Sequence, residues 1–223
     1  MKELTAVVIG ATGLTGSLLV GELISDSDFK TVRTLVRTPA DIHHPKLEQR
    51  MINFNDLNDY TQKFGEGDII FCCVGTTQKK VHKDKEAYKK VDYDIPVNAA
   101  KIGIEKGFKQ FLIVSAIGAN ENSSNFYLSL KGKTENKIRQ FPFVGIGIFQ
   151  PSILNGNRKE SRIGERLAQI IMDLLSFLLL GPLKKFRAIG ADNVAKAMVQ
   201  ASKKQTPGIH YYQYADMMYL VQN

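Results

Sequence analysis

The chain of 223 residues is 43% hydrophobic and 23% charged, a balance that excludes a disordered or fibrous protein. Its net charge of +8 comes from scattered basic residues, without a helix-turn-helix, zinc-finger or ribonucleoprotein pattern. A net positive charge alone would suit nucleic acid, but the scatter of the basic residues and the missing motifs argue against that partner and fit a surface that attracts a small anion. The most apolar segment, residues 167–180, contains Asp173 and is too short to span a bilayer of about 30 Å, so no transmembrane segment is expected.

Short apolar runs alternate with amphipathic segments along the chain. The predicted strands are Leu4–Ile9, Thr31–Val36, Arg50–Ile52, Ile69–Val74, Phe111–Val114, Val144–Phe149 and Ile209–Tyr214. The predicted helices are Leu14–Ile24, Leu57–Phe64, Glu86–Lys106, Tyr127–Arg139, Gly164–Leu180 and Ala191–Ser202, with Pro96 expected to kink or split the third. This alternation predicts one α/β domain over residues 1–223, of the doubly wound Rossmann type with a mostly parallel sheet and helices on both faces. Residues 150–190 are expected to form a small C-terminal appendage on the substrate side.

The segment Ile9–Gly16 reads IGATGLTG and directly follows the first predicted strand. Where a parallel strand turns into a helix, the unpaired N–H groups and partial positive charge of the helix N-terminus favour a phosphate. Gly10 permits the tight turn, Gly13 leaves room for the phosphates and Gly16 lets the helix pack closely. The strand–glycine–helix context therefore predicts a dinucleotide site rather than a turn without a ligand.

Arg37 and Thr38 follow the second predicted strand. An NAD site usually has Asp or Glu here to hold both ribose hydroxyls, whereas a guanidinium can bind the 2′-phosphate of NADP. NADP(H) is therefore favoured over NAD. The alternative interpretation is that Arg37 is a surface charge beyond the strand.

Tyr127 and Lys131 are four residues apart in the segment FYLSLKG, so a helix would place them on one face. A nearby ammonium favours the phenolate form of a tyrosine, which suits the tyrosine to give or take a proton. Ser115 ends the fifth predicted strand, at the carboxyl edge where ligands bind in this kind of sheet. Its hydroxyl is expected to hold a substrate oxygen while Tyr127 handles the proton.

The glycine segment, Ser115 and the Tyr127–Lys131 pair together resemble the short-chain dehydrogenase/reductase superfamily. Three longer segments are similar to its Tat-interacting-protein-like atypical reductases: FCCVGTT at Phe71–Thr77, SSNFYLSLKGK at Ser123–Lys133 and NRKESRIGE at Asn157–Glu165. The resemblance runs at least from residue 7 to residue 164. It implies a Rossmann fold, NADP(H) as cofactor, Tyr127 as proton donor or acceptor and Lys131 on the nicotinamide ribose.

The resemblance also implies cofactor contacts at individual positions of the glycine loop, the second strand, the fourth strand and the region beyond residue 150. The expected cofactor-binding residues are Gly10, Thr12, Gly13, Leu14, Thr15, Gly16, Arg37, Thr38, Val74, Gly75, Tyr127, Lys131, Leu154 and Arg162. Three sites depart from the family pattern. Ala116 follows Ser115 where a second Ser is frequent, and Gln150-Pro151-Ser152 replaces Arg-Pro-Gly. The asparagine that assists proton relay in many members has no clear counterpart, and Asp92 and Asn98 are the residues expected near its place.

The expected function is an NADP(H)-dependent oxidoreductase that transfers hydride to or from a small carbonyl or alcohol, with Tyr127, Lys131 and Ser115 as catalytic residues. The alternative is a regulatory protein that senses NADP(H) with little or no turnover. A homodimer is left open.

No metal is expected, because His43 and His44 lie beside Pro45 without a second group of ligands. Cys72 and Cys73 would point to opposite faces of a strand, so they are not expected to bridge each other. Unbridged cysteines and the lack of a visible secretory signal favour a cytoplasmic location.

Overall fold

The computed structural model describes residues 3–76, 84–156 and 181–223. A seven-stranded sheet runs in the order β3-β2-β1-β4-β5-β6-β9, and every strand pairing within it is parallel. Its strands are β1 (Leu4–Ile9), β2 (Phe29–Val36), β3 (Leu47–Met51), β4 (Ile69–Cys72), β5 (Gln110–Val114), β6 (Gly145–Phe149) and β9 (Gly208–Tyr212). The strand order reverses between β1 and β4, and the carboxyl ends of these two strands therefore form the crevice where ligands bind in open α/β sheets.

Seven α-helices in the described ranges connect or flank these strands. They are α1 (Leu14–Ser25), α2 (Leu57–Phe64), α3 (Lys85–Lys89), α4 (Ile95–Glu105), α5 (Phe126–Ile138), α6 (Ala191–Lys204) and α7 (Tyr214–Gln222). A π-helical turn, Lys90–Asp94, joins α3 to α4, and a 3₁₀ turn covers Gly181–Phe186. Two short strands, β7 (Leu154–Asn155) and β8 (Ile189–Gly190), pair in parallel as a separate sheet. None of the helices in the described ranges is long and apolar enough to cross a bilayer.

The sheet is buried on both faces, which explains the continuous apolar runs of its strands. On β1, Ala6 and Val8 join the core beneath α1, α6 and α7, while Val7 and Ile9 join the core beneath α2, α4 and α5. All four side chains are fully buried. The prediction of a doubly wound Rossmann-type α/β fold is confirmed.

The element boundaries differ from the predictions in informative places. The predicted strand Ile69–Val74 ends at Cys72, so Val74 belongs to the loop over the sheet edge. The predicted helix Glu86–Lys106 is interrupted by the π turn, upstream of Pro96, which sits in the first turn of α4 where its missing N–H costs nothing. Helix α7 was not predicted, and the predicted helix Gly164–Leu180 lies outside the described residues. The single-domain assignment and the appendage at 150–190 remain predictions.

Candidate cofactor and active site

The glycine loop between β1 and α1 is shaped by close backbone contacts. Gly10 has a φ of +84°, and a Cβ there would lie 2.6 Å from the carbonyl carbon of Cys73. A Cβ on Gly16 would collide with the carbonyl oxygen of Gly10. A Cβ on Gly13 would lie 3.2 Å from that same oxygen and 3.9 Å from the carbonyl oxygen of Cys73. Gly10 and Gly16 therefore close the turn, and Gly13 is exposed to solvent at the start of α1.

The N-terminus of α1 lacks a capping side chain. Its N-cap is Gly13, and its first turn contains no acidic residue. By contrast, the side chains of Asp56, Asp84 and Asn125 accept hydrogen bonds from the first N–H groups of α2, α3 and α5. An uncapped helix start with a glycine loop in front of it suits a phosphate group, which would accept from the free N–H groups.

The other residues expected around the phosphates lie close to this loop. Thr12 is exposed beside it and Thr15 is buried in the first turn of α1. Leu14 reaches toward the end of β7, because a Cβ on Gly156 would lie 2.8 Å from Leu14 Cδ1. Leu154, on β7, is partly buried against the core on the α1 side of the sheet. The structure thus brings Leu154 to the same region as the glycine loop.

Arg37 and Thr38 are both exposed at the carboxyl end of β2. Leu35, two residues earlier, pairs with Ile9 at the start of the glycine loop. Arg37 therefore directly follows a strand adjacent to the loop, at the place where the adenosine ribose of a dinucleotide lies in this fold.

Lys131 forms a buried ion pair with Asp92. Its Nζ lies 2.9 Å from Asp92 Oδ1, and the two side chains are only 6% and 1% exposed. Burial by itself would lower the pKa of Lys131, but the carboxylate of Asp92 and the oxygen of Tyr127 raise it above the ordinary lysine value. Lys131 is therefore an ammonium throughout the neutral pH range.

Asp92 also holds the loop that follows β4. Its Oδ2 accepts the backbone N–H of Thr76 at 2.9 Å, and its carbonyl oxygen accepts the hydroxyl of Thr134 at 2.9 Å. A Cβ on Gly75 would lie 3.8 Å from Asp92 Oδ1, so the loop backbone passes directly over the ion pair. Val74, the other loop residue expected to contact the cofactor, is half-buried beside Gly75.

Asp92 reaches this position because it lies in the π-helical turn. A π turn widens a helix by one residue per turn and is frequent at functional sites. Of the two residues near the place of the family's asparagine, Asp92 is the one that contacts Lys131.

Tyr127 lies one turn before Lys131 on α5 and is half-buried. Its ring centroid is 6.5 Å from that of Tyr88 with an interplanar angle of 72°. Tyr88 is buried, and its hydroxyl donates to the carbonyl oxygen of Thr76 at 3.0 Å. Tyr88, which the sequence analysis missed, therefore connects Tyr127 to the loop after β4.

Ser115 follows β5 and is buried, with its hydroxyl donating to Glu135 Oε1. The amide nitrogen of Gln150 donates to both oxygens of Glu135, at 3.0 and 3.1 Å. Burial raises the pKa of Glu135 above its usual value, although the hydrogen bonds from Ser115 and Gln150 lower it in part. Glu135 was also missed, but it follows Lys131 by four residues and Tyr127 by eight, a spacing that places all three on one face of a helix.

The remaining sequence candidates contribute little to this region. Arg162 lies outside the described residues. Cys72 and Cys73 are free, and burial raises both thiol pKa values, that of Cys72 to about 12, which makes them poor nucleophiles. His43 lies 3.5 Å from Asp41 on the surface, and no group of three or more potential metal ligands occurs among the described residues.

The all-parallel sheet, the glycine loop at its switch point and the Tyr127–Lys131 helix beside it define a dinucleotide-binding protein of the Rossmann type. The sequence profile of the NAD(P)H-binding family matches residues 10–140, more than half of the chain. The chain belongs to this family and, within it, is an atypical short-chain dehydrogenase/reductase that resembles HTATIP2.

Two relatives show how far the similarity extends. HTATIP2 of Rattus norvegicus is 33% identical over 172 residues, which cover 76% of this chain and 70% of the relative. Protein FMP52, mitochondrial, of Debaryomyces hansenii is 33% identical over 212 residues, which cover 92% of this chain and 91% of the relative. The predicted family resemblance is thereby confirmed.

Two solved structures have the same fold at low sequence identity. The Bordetella bronchiseptica enzyme WbmH in complex with NAD⁺ superposes with a TM-score of 0.72 at 14% identity, covering 94% of this chain and 75% of WbmH. Uronate dehydrogenase from Agrobacterium tumefaciens superposes with a TM-score of 0.71 at 13% identity, covering 99% of this chain and 84% of that enzyme. At these identities the likeness concerns the fold alone.

Proposed function

We propose that this protein is an NADP(H)-dependent oxidoreductase that transfers hydride to or from a small carbonyl or alcohol substrate. The observation that carries the proposal is the buried ammonium of Lys131, which is paired with Asp92 and lies one helical turn after Tyr127. Burial of a charged group costs free energy of folding, so a buried charge often has a functional role. A buried ammonium near a half-buried tyrosine, at the sheet edge where ligands bind, suits acid–base chemistry.

The proposed cofactor site fits the shape of the glycine loop. The exposed Gly13 and the uncapped start of α1 would take the pyrophosphate, with Thr12, Leu14 and Thr15 around it. Arg37 and Thr38 would hold the 2′-phosphate, and Val74 and Gly75 would contact the nicotinamide half. Leu154 and Arg162 complete the proposed cofactor set. When bound, the nicotinamide ring supplies or accepts the hydride.

The proposed proton chemistry centres on Tyr127. Its hydroxyl would give a proton to a carbonyl oxygen during reduction or take one from an alcohol during oxidation. The Lys131 ammonium stabilises negative charge on the tyrosine oxygen while the proton moves, and it would also bind the nicotinamide ribose. Asp92 keeps this ammonium in place through the buried ion pair.

The cofactor assignment is tested by titration of the protein with NADPH and NADH. We expect tighter binding of NADPH and, at equal concentration, a larger rise in melting temperature. Arg37→Asp should invert the order. Lys30→Asp makes the same charge change at the amino end of β2, where Lys30 pairs with Glu3 on the surface, and should leave the preference unaltered. Equal affinities of the unsubstituted protein for the two cofactors would contradict the assignment.

The catalytic assignment is tested with Tyr127→Phe on a panel of small carbonyls, followed by NADPH absorbance. Turnover should fall by roughly two or more orders of magnitude, the usual contribution of a positioned acid–base group. NADPH affinity should change little, and Tyr219→Phe, on the exposed part of α7, should keep full activity. Full activity of Tyr127→Phe would refute the assignment. Tight NADPH binding without turnover of any carbonyl would favour the NADP(H)-sensing protein instead.

The homodimer and the cytoplasmic location remain predictions. The relative FMP52 carries a mitochondrial designation in its name.

A further inference from the structure

Glu135 can control the direction in which the Ser115 hydroxyl donates its hydrogen bond, and the consequence drawn from this for the substrate rests on the proposed function. The Ser115 hydroxyl donates its proton to Glu135 Oε1, and both residues are only 5% exposed. A hydroxyl has a single proton, and an ionised carboxylate can only accept hydrogen bonds. While Glu135 is ionised, Ser115 can therefore offer only the lone pairs of its oxygen to a substrate.

The other hydrogen bonds of this cluster have a fixed direction. The amide nitrogen of Gln150 donates to Glu135, and the amide oxygen of Gln150 accepts from Gln213 Nε2 at 3.2 Å. Gln150 thus presents donors to Glu135 in either protonation state of the carboxyl group. The bond that can reverse is the one between Glu135 and Ser115.

The two directions of this bond suit different substrates. With Glu135 ionised, the Ser115 oxygen can accept from the O–H of an alcohol but has no proton for a carbonyl oxygen. With Glu135 protonated, the carboxyl group donates to the Ser115 oxygen, and the freed hydroxyl proton can bond a carbonyl oxygen. We propose that Glu135 is a positioning residue whose protonation turns Ser115 from a hydrogen-bond acceptor for an alcohol into a hydrogen-bond donor for a carbonyl.

A polar cavity gives Glu135 a route for protons. The cavity has a volume of about 390 Å³, and its lining includes Glu135 and Gln150 together with Asn120, Glu121, Arg139 and Tyr211. Several of these, including Asn120, Arg139 and Tyr211, are exposed to solvent. A polar cavity of this size holds water. Because Glu135 and Gln150 both line it, Glu135 can exchange its proton with solvent through the water in this cavity.

The charges that face Glu135 leave its neutral form accessible. Lys131 and Arg139, on its own helix, both favour the ionised form. However, Lys131 is paired with Asp92 and Arg139 is exposed, which weakens both effects. From the other elements, β9 presents the hydroxyl of Tyr211, and the segment before α5 presents the carboxyl group of Glu121. The effect of burial is larger than the effect of these charges, and the pKa of Glu135 is therefore raised.

The first test uses NMR and needs no substrate. In protein labelled with ¹³C at the glutamate carboxyl groups, the Glu135 signal is assigned by its loss in Glu135→Gln. It should titrate at higher pH than the signals of exposed glutamates. In Ser115→Ala the titration should move to still higher pH, because the hydrogen bond that stabilises the ionised form is gone. Titration together with the exposed glutamates, or no shift in Ser115→Ala, would overturn the inference.

The second test uses a carbonyl turned over by the protein and the corresponding alcohol. The amide of Glu135→Gln can always donate to Ser115, so this variant imitates the protonated state. We compare kcat/KM of the variant with kcat/KM of the unsubstituted protein as a ratio. The pH dependence that comes from the proton consumed in the reaction is common to both proteins and does not affect this ratio. For carbonyl reduction this ratio should be near one in acid and rise by about tenfold at pH 8, the usual value of one hydrogen bond. For alcohol oxidation it should fall by a similar factor.

A ratio that stays constant with pH in both directions would overturn the role of Glu135 in catalysis. The ratio of kcat/KM between the double variant Ser115→Ala/Glu135→Gln and Ser115→Ala alone should not vary with pH, because neither protein has a hydroxyl whose hydrogen bond can reverse. If no carbonyl is turned over while the NMR titration is as expected, the proposed function fails and the coupling between Glu135 and Ser115 stands. If turnover is found and the NMR titration is not as expected, the inference fails and the proposed function stands.

Discussion

The buried ion pair between Lys131 and Asp92 leads to a sharp prediction for Asp92→Asn. The substitution keeps the size of the side chain and an oxygen for the Thr76 N–H, but it leaves the ammonium, which is 6% exposed, without an anion. Removing one partner of a buried ion pair costs about 3–5 kcal/mol. For a chain of this length, with about 2–4 °C per kcal/mol, the melting temperature should fall by roughly 6–20 °C.

The assay is thermal and urea unfolding of a double-mutant cycle. Lys131→Met removes the uncompensated charge, so Asp92→Asn combined with Lys131→Met should be more stable than Asp92→Asn alone. Lys30→Met breaks a surface pair whose side chains are 64% and 70% exposed, and its effect should stay below about 1 kcal/mol. If Asp92→Asn lowers the free energy of unfolding by less than about 1 kcal/mol, or if the double variant does not recover stability, Lys131 and Asp92 do not form a buried, charged pair.

The same variant should have a characteristic pH dependence. In the unsubstituted protein the raised pKa of Lys131 means that the stability from this pair is complete below the ordinary lysine pKa and is lost only as pH rises through the raised value. In Asp92→Asn, burial without an anion lowers the pKa of Lys131, and the folded state binds the proton less tightly than the unfolded state. The cost of the substitution should therefore shrink between pH 7 and pH 9.

Three further predictions concern the glycine loop and Glu135. Gly16→Ala should lower the free energy of unfolding by about 1–3 kcal/mol, because its Cβ would collide with the carbonyl oxygen of Gly10. Gly13→Ala, at an ordinary φ of −79° and with its Cβ 3.2 Å from the same oxygen, should lower the melting temperature less than Gly16→Ala but weaken NADPH binding by about tenfold or more, an outcome checked by titration. For Glu135 the raised pKa stabilises the folded state at low pH, and this contribution is lost as pH rises through that value. The melting temperature of the unsubstituted protein minus that of Glu135→Gln should therefore decline from pH 4 to pH 8, and a constant difference would contradict the buried carboxyl group.

Much of the fold could be predicted because its signals are local. Strands buried on both faces leave continuous apolar runs, and the turn from β1 to α1 needs glycine at positions where a Cβ would strike the backbone. Local sequence signals do not show where β4 ends and the loop between Cys72 and Thr76 begins. Val74 is as apolar as the strand before it, but β4 stops at Cys72 and the chain turns across the sheet edge to meet Asp92.

The features that the sequence did not reveal depend on tertiary contacts. The π turn at Lys90–Asp94 has no local signature, although it decides which side chain faces Lys131. Glu135 shares a helical face with Tyr127 and Lys131, but spacing alone could not show that it is buried against Ser115. Tyr88 lies in a short helix of five residues, and its contact with Thr76 joins segments twelve residues apart.

Hydride transfer between NADP(H) and a small carbonyl or alcohol can be followed by the transfer of an isotope. The protein is incubated with NADPH that carries deuterium at the reactive position of the nicotinamide ring, together with a panel of small aldehydes and ketones. Mass spectrometry of the products should show one deuterium on the carbinol carbon, and none with heat-denatured protein. Saturable NADPH binding without deuterium on any product would contradict hydride transfer as the function of this protein.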